Sequence, residues 1–297
     1  MAFSRNRIRL KVKCDVDALK VWDTVTNPIR LAIWFCNSAE INPKLRGTVK
    51  FSGNNCVART FEEQEIKGVI TALEPNRLLK FTWPLNGSAS EVTWRLDDMG
   101  RYTDFLVTHE KLPPGAGMMD AWHIYLYNLQ ALLHTNRPVY RCDYNRIDKG
   151  TIKREVFIET VHQPVYKALT RQKELRRWFS ETAEVEAPLQ PGSKYSAGWV
   201  NAEGNSHGPQ EIKEAVENKK LIYSWKDEAH QAGDTVSWEL TRIGERTRVN
   251  LRHTGFPDGM PQKDYMQGWH SYILLLKDYC ENGGQLTTKI IEKGTGE

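Results

Sequence analysis

The chain is poor in the features that catalysis and metal binding require. Its 297 residues hold five cysteines and eight histidines, with no C-x-x-C pair, no H-E-x-x-H and no His/Cys cluster at ligand spacing. Neither a zinc site nor a redox motif is therefore encoded. Cys14, Cys36, Cys56, Cys142 and Cys280 are odd in number and scattered. That suits separate thiols in a reducing cytoplasm better than a disulfide framework. A G-x-S-x-G elbow and a phosphate-binding glycine loop are both missing. The adjacent carboxylates Glu62-Glu63 and Asp97-Asp98 lie in strand- or turn-like contexts and read as solvated surface. No cofactor is expected.

Two further absences bear on location and partners. No stretch approaches the ~18 apolar residues of a membrane span. The N-terminus, MAFSRNRIRLKVKCD, is charged every two or three residues and lacks the apolar core of a signal peptide. The expected location is the cytoplasm. Lysine and arginine number 41 against 37 acidic residues, for a net charge of +4. No basic run concentrates that surplus, so nucleic acid is not an expected partner. Asn86-Gly-Ser88 matches a glycosylation acceptor, but without an export signal it reads as a turn.

What the chain has is aromatic residues, 10 Trp, 11 Tyr and 9 Phe, and a repeat. "LAIWFCNSAEI" at 31–41 meets "LRRWFSETAEV" at 175–185, with Trp34 and Trp178 144 residues apart. "VWDTVTNP" at 21 meets "VYKALTRQ" at 165, "VTWRL" at 92 meets "VSWEL" at 236, and His109 meets His253, all at the same offset. "ITALEPNRLLKFTW" meets "IKEAVENKKLIYSW" at 142, and "AWHIYLYNL" meets "GWHSYILLL" at 147. Offsets that drift only by small loop insertions describe one domain built twice.

Each copy carries the same series of elements. An alternating strand leads into two short helices, the second ending on the Trp-Phe pair. About six strands with period-2 alternation follow, as in KFTWPL and DTVSWEL, which marks a sheet with one buried face. Each copy closes with a long helix bearing one apolar stripe: Met118, Trp122, Tyr125, Leu126, Leu129 and Leu133, then Tyr265, Trp269, Tyr272, Ile273, Leu276 and Cys280. A single stripe needs a single partner surface, and the buried sheet face supplies it. The fold class is α+β: two tandem helix-grip domains, each an antiparallel sheet wrapped around a long C-terminal helix, with two short helices after the first strand. The expected domains are residues 1–140 and 150–285, joined by a polar linker over 136–150. The segment GGQLTTKIIEKGTGE at the C-terminus shows no partner pattern and reads as a partly ordered tail.

This series resembles the START-like (SRPBCC, Bet v-like helix-grip) superfamily. Within it, "VWDTVTNPIRLAIWF", "GVITALEPNRLLKFTWP", "VTHEKLP" and "DAWHIYLYNLQALL" resemble the Aha-type family, homologues of the activator of heat-shock-protein ATPase. "VYKALTRQKELRRWF", "LIYSW", "LRHTGFP" and "QGWHSYILLL" carry the resemblance again in the second copy. It covers nearly the whole chain. It implies a fold that hosts lipid carriers, cyclases, receptors and chaperone activators, so the fold does not fix the function.

The candidate site lies between each long helix and its sheet. In the first copy it is bounded by Trp83, Trp94, Phe105, His109, Trp122 and Tyr125. In the second it is bounded by Trp225, Trp238, His253, Trp269 and Tyr272. One reading is a pocket for a hydrophobic or aromatic small molecule, with a stress-related role. The other is a core filled by these rings. An empty cavity of about 300 Å³ would cost on the order of 7 kcal/mol, which favours a small or partly filled space. The resemblance adds a chaperone ATPase as an alternative partner. A third reading is a cyclase- or hydratase-like enzyme using His109 or His253 as general acid–base. His109, His253, His123 and His270 recur in both copies, which also suits a shared structural task. Finally, the second short helix is apolar in one copy (PIRLAIWF) and charged in the other (QKELRRWFS), so Leu31, Ala32 and Ile33 are expected to be covered. No motif names a ligand or an oligomeric state.

Overall fold

The computed structural model describes residues 6–53, 65–85, 87–113, 118–135, 150–200, 204–226, 233–257 and 262–291. The expected linker, apart from Gly150, and Asn86 lie outside the described residues. Two compact units emerge, Met1–Asn145 with Thr288–Glu297, and Arg146–Thr287.

Unit 1 opens with strand β1 (Arg7–Cys14), whose alternate residues Leu10, Val12 and Cys14 are fully buried. Helices α1 (Ala18–Thr26) and α2 (Pro28–Trp34) follow. The side chain of Asp17 caps α1 by accepting from the Lys20 N–H at 2.8 Å. Asn27 serves both helices. Its own N–H closes the last turn of α1 on Asp23, and its Oδ1 accepts from the Ile29 N–H at the start of α2. Pro28 takes the first helical position, where the missing N–H costs nothing. Strands β2 (Ser38–Ile41), β3 (Thr48–Ser52), β4 (Glu65–Glu74), β5 (Leu78–Leu85), β6 (Ser88–Asp98) and β7 (Thr103–Glu110) precede the long helix α3 (Met118–Thr135). All six stripe residues of α3 are buried.

Unit 2 repeats this plan in β8 (Thr151–Ile158), α4 (His162–Thr170), α5 (Gln172–Trp178), β9 (Glu184–Val185), β10 (Tyr195–Ser196), β11 (Trp199–Val200), β12 (Ser206–Val216), β13 (Lys220–Lys226), β14 (Thr235–Ile243), β15 (Arg246–Thr254) and α6 (Lys263–Glu281). Its main sheet runs β11-β12-β13-β14-β15-β8, antiparallel throughout.

The repeat extends to single hydrogen bonds. The Trp34 indole donates to the carbonyl of Thr24 at 3.1 Å, and the Trp178 indole to that of Ala168 at 3.0 Å. Each bond ties the second short helix to the first. Phe35 and Phe179 then pack on the long helix, with centroids 4.4 Å from Tyr125 and 4.8 Å from Tyr272. The Trp-Phe pair thus joins the helical pair to the rest of its unit. Leu31 is fully buried, while Ala32 and Ile33 are half-buried.

One expectation fails. Part of the segment read as a partly ordered tail is strand β16 (Thr288–Ile290), which pairs antiparallel with β1 through Val12, Lys11 and Leu10. The eight-stranded sheet of unit 1 therefore runs β16-β1-β7-β6-β5-β4-β3-β2. Three residues are too short for an alternation signal, so the pattern that reveals longer strands could not reveal this one. Before it, Asp278 near the end of α6 holds the local turn. That carboxylate accepts from the Thr287 N–H and Oγ1 and from Asn282 Nδ2, at 2.8 to 2.9 Å. β16 covers backbone groups that an open edge would expose. In unit 2 the matching strand β8 has its Phe157 carbonyl taken by Lys277 Nζ at 2.6 Å.

Ending the chain after Thr287 should therefore weaken unit 1. The loss should be about 1–3 kcal/mol, the worth of a few strand hydrogen bonds. Hydrogen exchange should locate it on β1 amides, with β8 amides unchanged.

Candidate functional site

In unit 1 the helix–sheet space is filled by rings. Trp83, Trp94, Phe105, His109 and Trp122 are 0% exposed and Tyr125 is 2% exposed. Phe35 lies 5.6 to 6.1 Å from Trp83, Trp94 and Trp122, and Phe51 and Phe81 extend the cluster. Edge-on and tilted arrangements prevail, as the aromatic quadrupole favours.

A buried hydrogen-bond chain threads this cluster. The Trp122 Nε1–H donates to His109 Nδ1 at 3.2 Å. An indole can only donate, so Nδ1 accepts and the neutral ring carries its proton on Nε2. That N–H donates to Ser90 Oγ at 2.8 Å, and Ser90 donates onward to the Trp83 carbonyl at 2.5 Å. Both nitrogens of His109 are thus engaged, and burial lowers its pKa to about 3. It has no lone pair to offer a substrate. Burial likewise pushes the Cys14 thiol up to about 12, far from a nucleophile's range.

Unit 2 keeps the first link. Trp269 Nε1–H donates to His253 Nδ1 at 2.9 Å, and His253 is also fully buried. The next link differs. Val92 faces His109 and Val236 faces His253 across the sheet, so the place of Ser90 is held by Asp234, 2% exposed. Gly255, at φ +103°, lies against it; a Cβ there would fall 1.9 Å from Asp234 Oδ1, so only glycine fits. Other rings change too. Phe51 and Phe81 give way, at the matching offsets, to Tyr195 and Tyr223. The Tyr195 hydroxyl donates to the Leu169 carbonyl at 2.8 Å, and Tyr223 accepts from the Trp238 indole at 3.1 Å. Phe105 gives way to Val249, a smaller side chain.

Beside this core a cavity of about 410 Å³ opens, lined by Trp199, His207, Trp225, Asp264, Tyr265, Gly268, Trp269 and Tyr272. Helix α6 contributes Asp264, Gly268 and Tyr272 from one row at i, i+4, i+8, with Tyr265 and Trp269 from the next. Tyr265 and Tyr272 are half-buried, whereas their counterparts Met118 and Tyr125 on α3 are buried. Trp225 is 9% exposed, and its Nε1–H has no acceptor among the described residues. Trp225, Trp269 and Tyr272 of the expected set line the space, while Trp238 and His253 are buried in the core. Sequence reasoning missed Trp199, His207, Asp264, Tyr265 and Gly268. Tyr265 and Gly268 could have been found by comparing α6 with α3. Trp199 lies on a two-residue strand with no periodicity to mark it.

Among the described residues no group of three His, Cys, Asp or Glu is placed to hold a metal ion. Among the described residues no helix is long and apolar enough to cross a membrane.

The family model for Activator of Hsp90 ATPase homolog 1-like protein matches residues 15–134 and again 160–281. The chain belongs to that family. No curated protein matches it. Among solved structures it is similar to DynU16, a protein in the dynemicin biosynthetic locus, at 16% identity over 93% of this chain and 99% of that one, with a TM-score of 0.38. It is also similar to the di-domain ARO/CYC StfQ from the steffimycin biosynthetic pathway, at 12% identity, the same coverages and a TM-score of 0.37. The Aha1 dimer from Colwellia psychrerythraea matches at 20% identity over 45% of this chain and 97% of its own, with a TM-score of 0.38.

The His109 chain carries a pH signature. Its folded pKa of about 3 lies below the ~6.5 of an unfolded histidine. The unfolded chain therefore binds a proton that the folded one refuses. This contribution to stability is complete above pH ~6.5 and drains away as pH falls toward 3. In NMR titrations of the full chain the His109 ring should stay neutral down to about pH 4. Trp122→Phe, which removes the N–H and leaves part of the indole's volume empty, should cost about 2–4 kcal/mol in urea unfolding.

Proposed function

We propose that this family member is a non-enzymatic binding protein that holds a hydrophobic or aromatic small molecule in unit 2, between α6 and the sheet. The observation that carries this reading is the cavity of about 410 Å³ walled by Trp199, Trp225, Trp269 and Tyr272. Its size lies within the range of small-molecule sites, and its make-up, mostly aromatic with a few polar groups, is the usual one. Burying an aromatic ligand there supplies the hydrophobic term, and the Trp225 indole N–H supplies a donor that a ligand acceptor can meet. Unit 1, with the same fold and a packed ring core, serves as the structural companion.

The reading does not require catalysis. His109 has both nitrogens spent, and His253 is fully buried with one nitrogen held by Trp269. Family membership favours a second reading, a partner among chaperone ATPases, which stimulation of such an ATPase by the full chain would test.

The binding reading is tested by titrating the chain with planar aromatics such as 2-naphthol and following tryptophan fluorescence. Saturable binding is expected. Gly268→Leu should fill the space and abolish it, and Trp225→Ala should weaken it about tenfold or more, as loss of a buried aromatic contact does. Ser90→Ala, in unit 1, should leave it unchanged. Absence of saturable binding across neutral, cationic and anionic aromatics would overturn the reading.

A further inference from the structure

We infer that the ligand of the unit 2 cavity carries a positive charge, an organic ammonium next to an apolar or aromatic body, and that Asp264 selects it. The inference rests on the binding reading above and adds the charge.

Four rings form a closed circuit. Successive centroids are 6.0 Å apart from Trp199 to Trp225, 5.2 Å from Trp225 to Trp269, 6.2 Å from Trp269 to Tyr272, and 5.8 Å from Tyr272 back to Trp199. Their planes are turned against one another by 69°, 57°, 60° and 29° along the same path. A cation seated against this wall comes within the ~6 Å over which a ring face attracts it, and tryptophan is the best such ring. Three of the four are tryptophan.

The polar lining fits the same occupant. Asp264 is a carboxylate at the cavity, and no lysine or arginine is among the described residues that line it. It is exposed, and among the described residues nothing pairs with it. A first-turn acid also suits the dipole of α6, but that role needs no cavity beside it. An anionic ligand would meet both a carboxylate and the negative faces of the rings. A neutral ligand would gain at most a hydrogen bond from Asp264. An ammonium gains from both, and its attraction to the rings grows as the site sheds water.

The discriminating experiment uses the full chain and a matched pair of probes, 2-naphthyltrimethylammonium and its neutral isostere 2-tert-butylnaphthalene, with 2-naphthalenesulfonate as the anion. The cation should bind about tenfold more tightly than the isostere. Asp264→Asn should remove most of that advantage without weakening the neutral probe, Asp264→Glu should restore it, and added salt should reduce it. Circular dichroism of the variants checks that α6 is intact. Equal affinity for cation and isostere, or preference for the anion, overturns the charge assignment and leaves the cavity reading standing. Failure of all three probes removes both.

Discussion

A tryptophan on the long helix donates its indole N–H to a histidine on the sheet, once in each unit, and the rest of each domain is arranged around that bond. It fixes the depth and rotation of the helix against the strands at one point. The apolar stripe then has to fill the remaining space. In unit 1 the stripe does so with buried side chains along its whole length. In unit 2 the same bond holds the helix, yet several stripe positions are only partly covered. The constraint is shared; what grows around it is not.

One difference at the unit 2 cavity is a glycine on α6 where α3 has Ala121. In the core beside it, a valine stands on β15 where β7 has Phe105. Added hydroxyls on Tyr195 and Tyr223 are each matched by a hydrogen bond, so they tie the deep core while the outer layer loosens. Keeping the inner ring layer intact limits what a void costs, because the cavity borders the surface rather than the centre of the domain. Duplication makes this division workable. One copy can stay packed, and the other can give up packing for a binding space.

Much of this was legible in the sequence, for physical reasons. Trp34 and Trp178 announce the repeat because a large side chain with one donor is hard to replace in a tight corner. The helix stripes and the period-2 strands follow from burial on one face only. The candidate rings were all placed in the helix–sheet layer. Which of them border open space was not legible, because that depends on small residues such as Gly268 and on which neighbours are absent, and neither writes a periodic signal. Asp234 illustrates the same limit. Its exchange with Ser90 is visible at the repeat offset, but only the register of β14 on β15 shows that it stands diagonal to a buried imidazole.

Strand β16 bears on how the molecule is made. A ribosome releases a chain from its N-terminus, and domains usually fold in that order as they emerge. Here the strand that closes the open edge of the first domain is encoded after the whole of the second. The nascent first domain must wait with its β1 edge unpaired while some 140 further residues are synthesised. A chain cut short anywhere in unit 2 would carry that bare edge permanently.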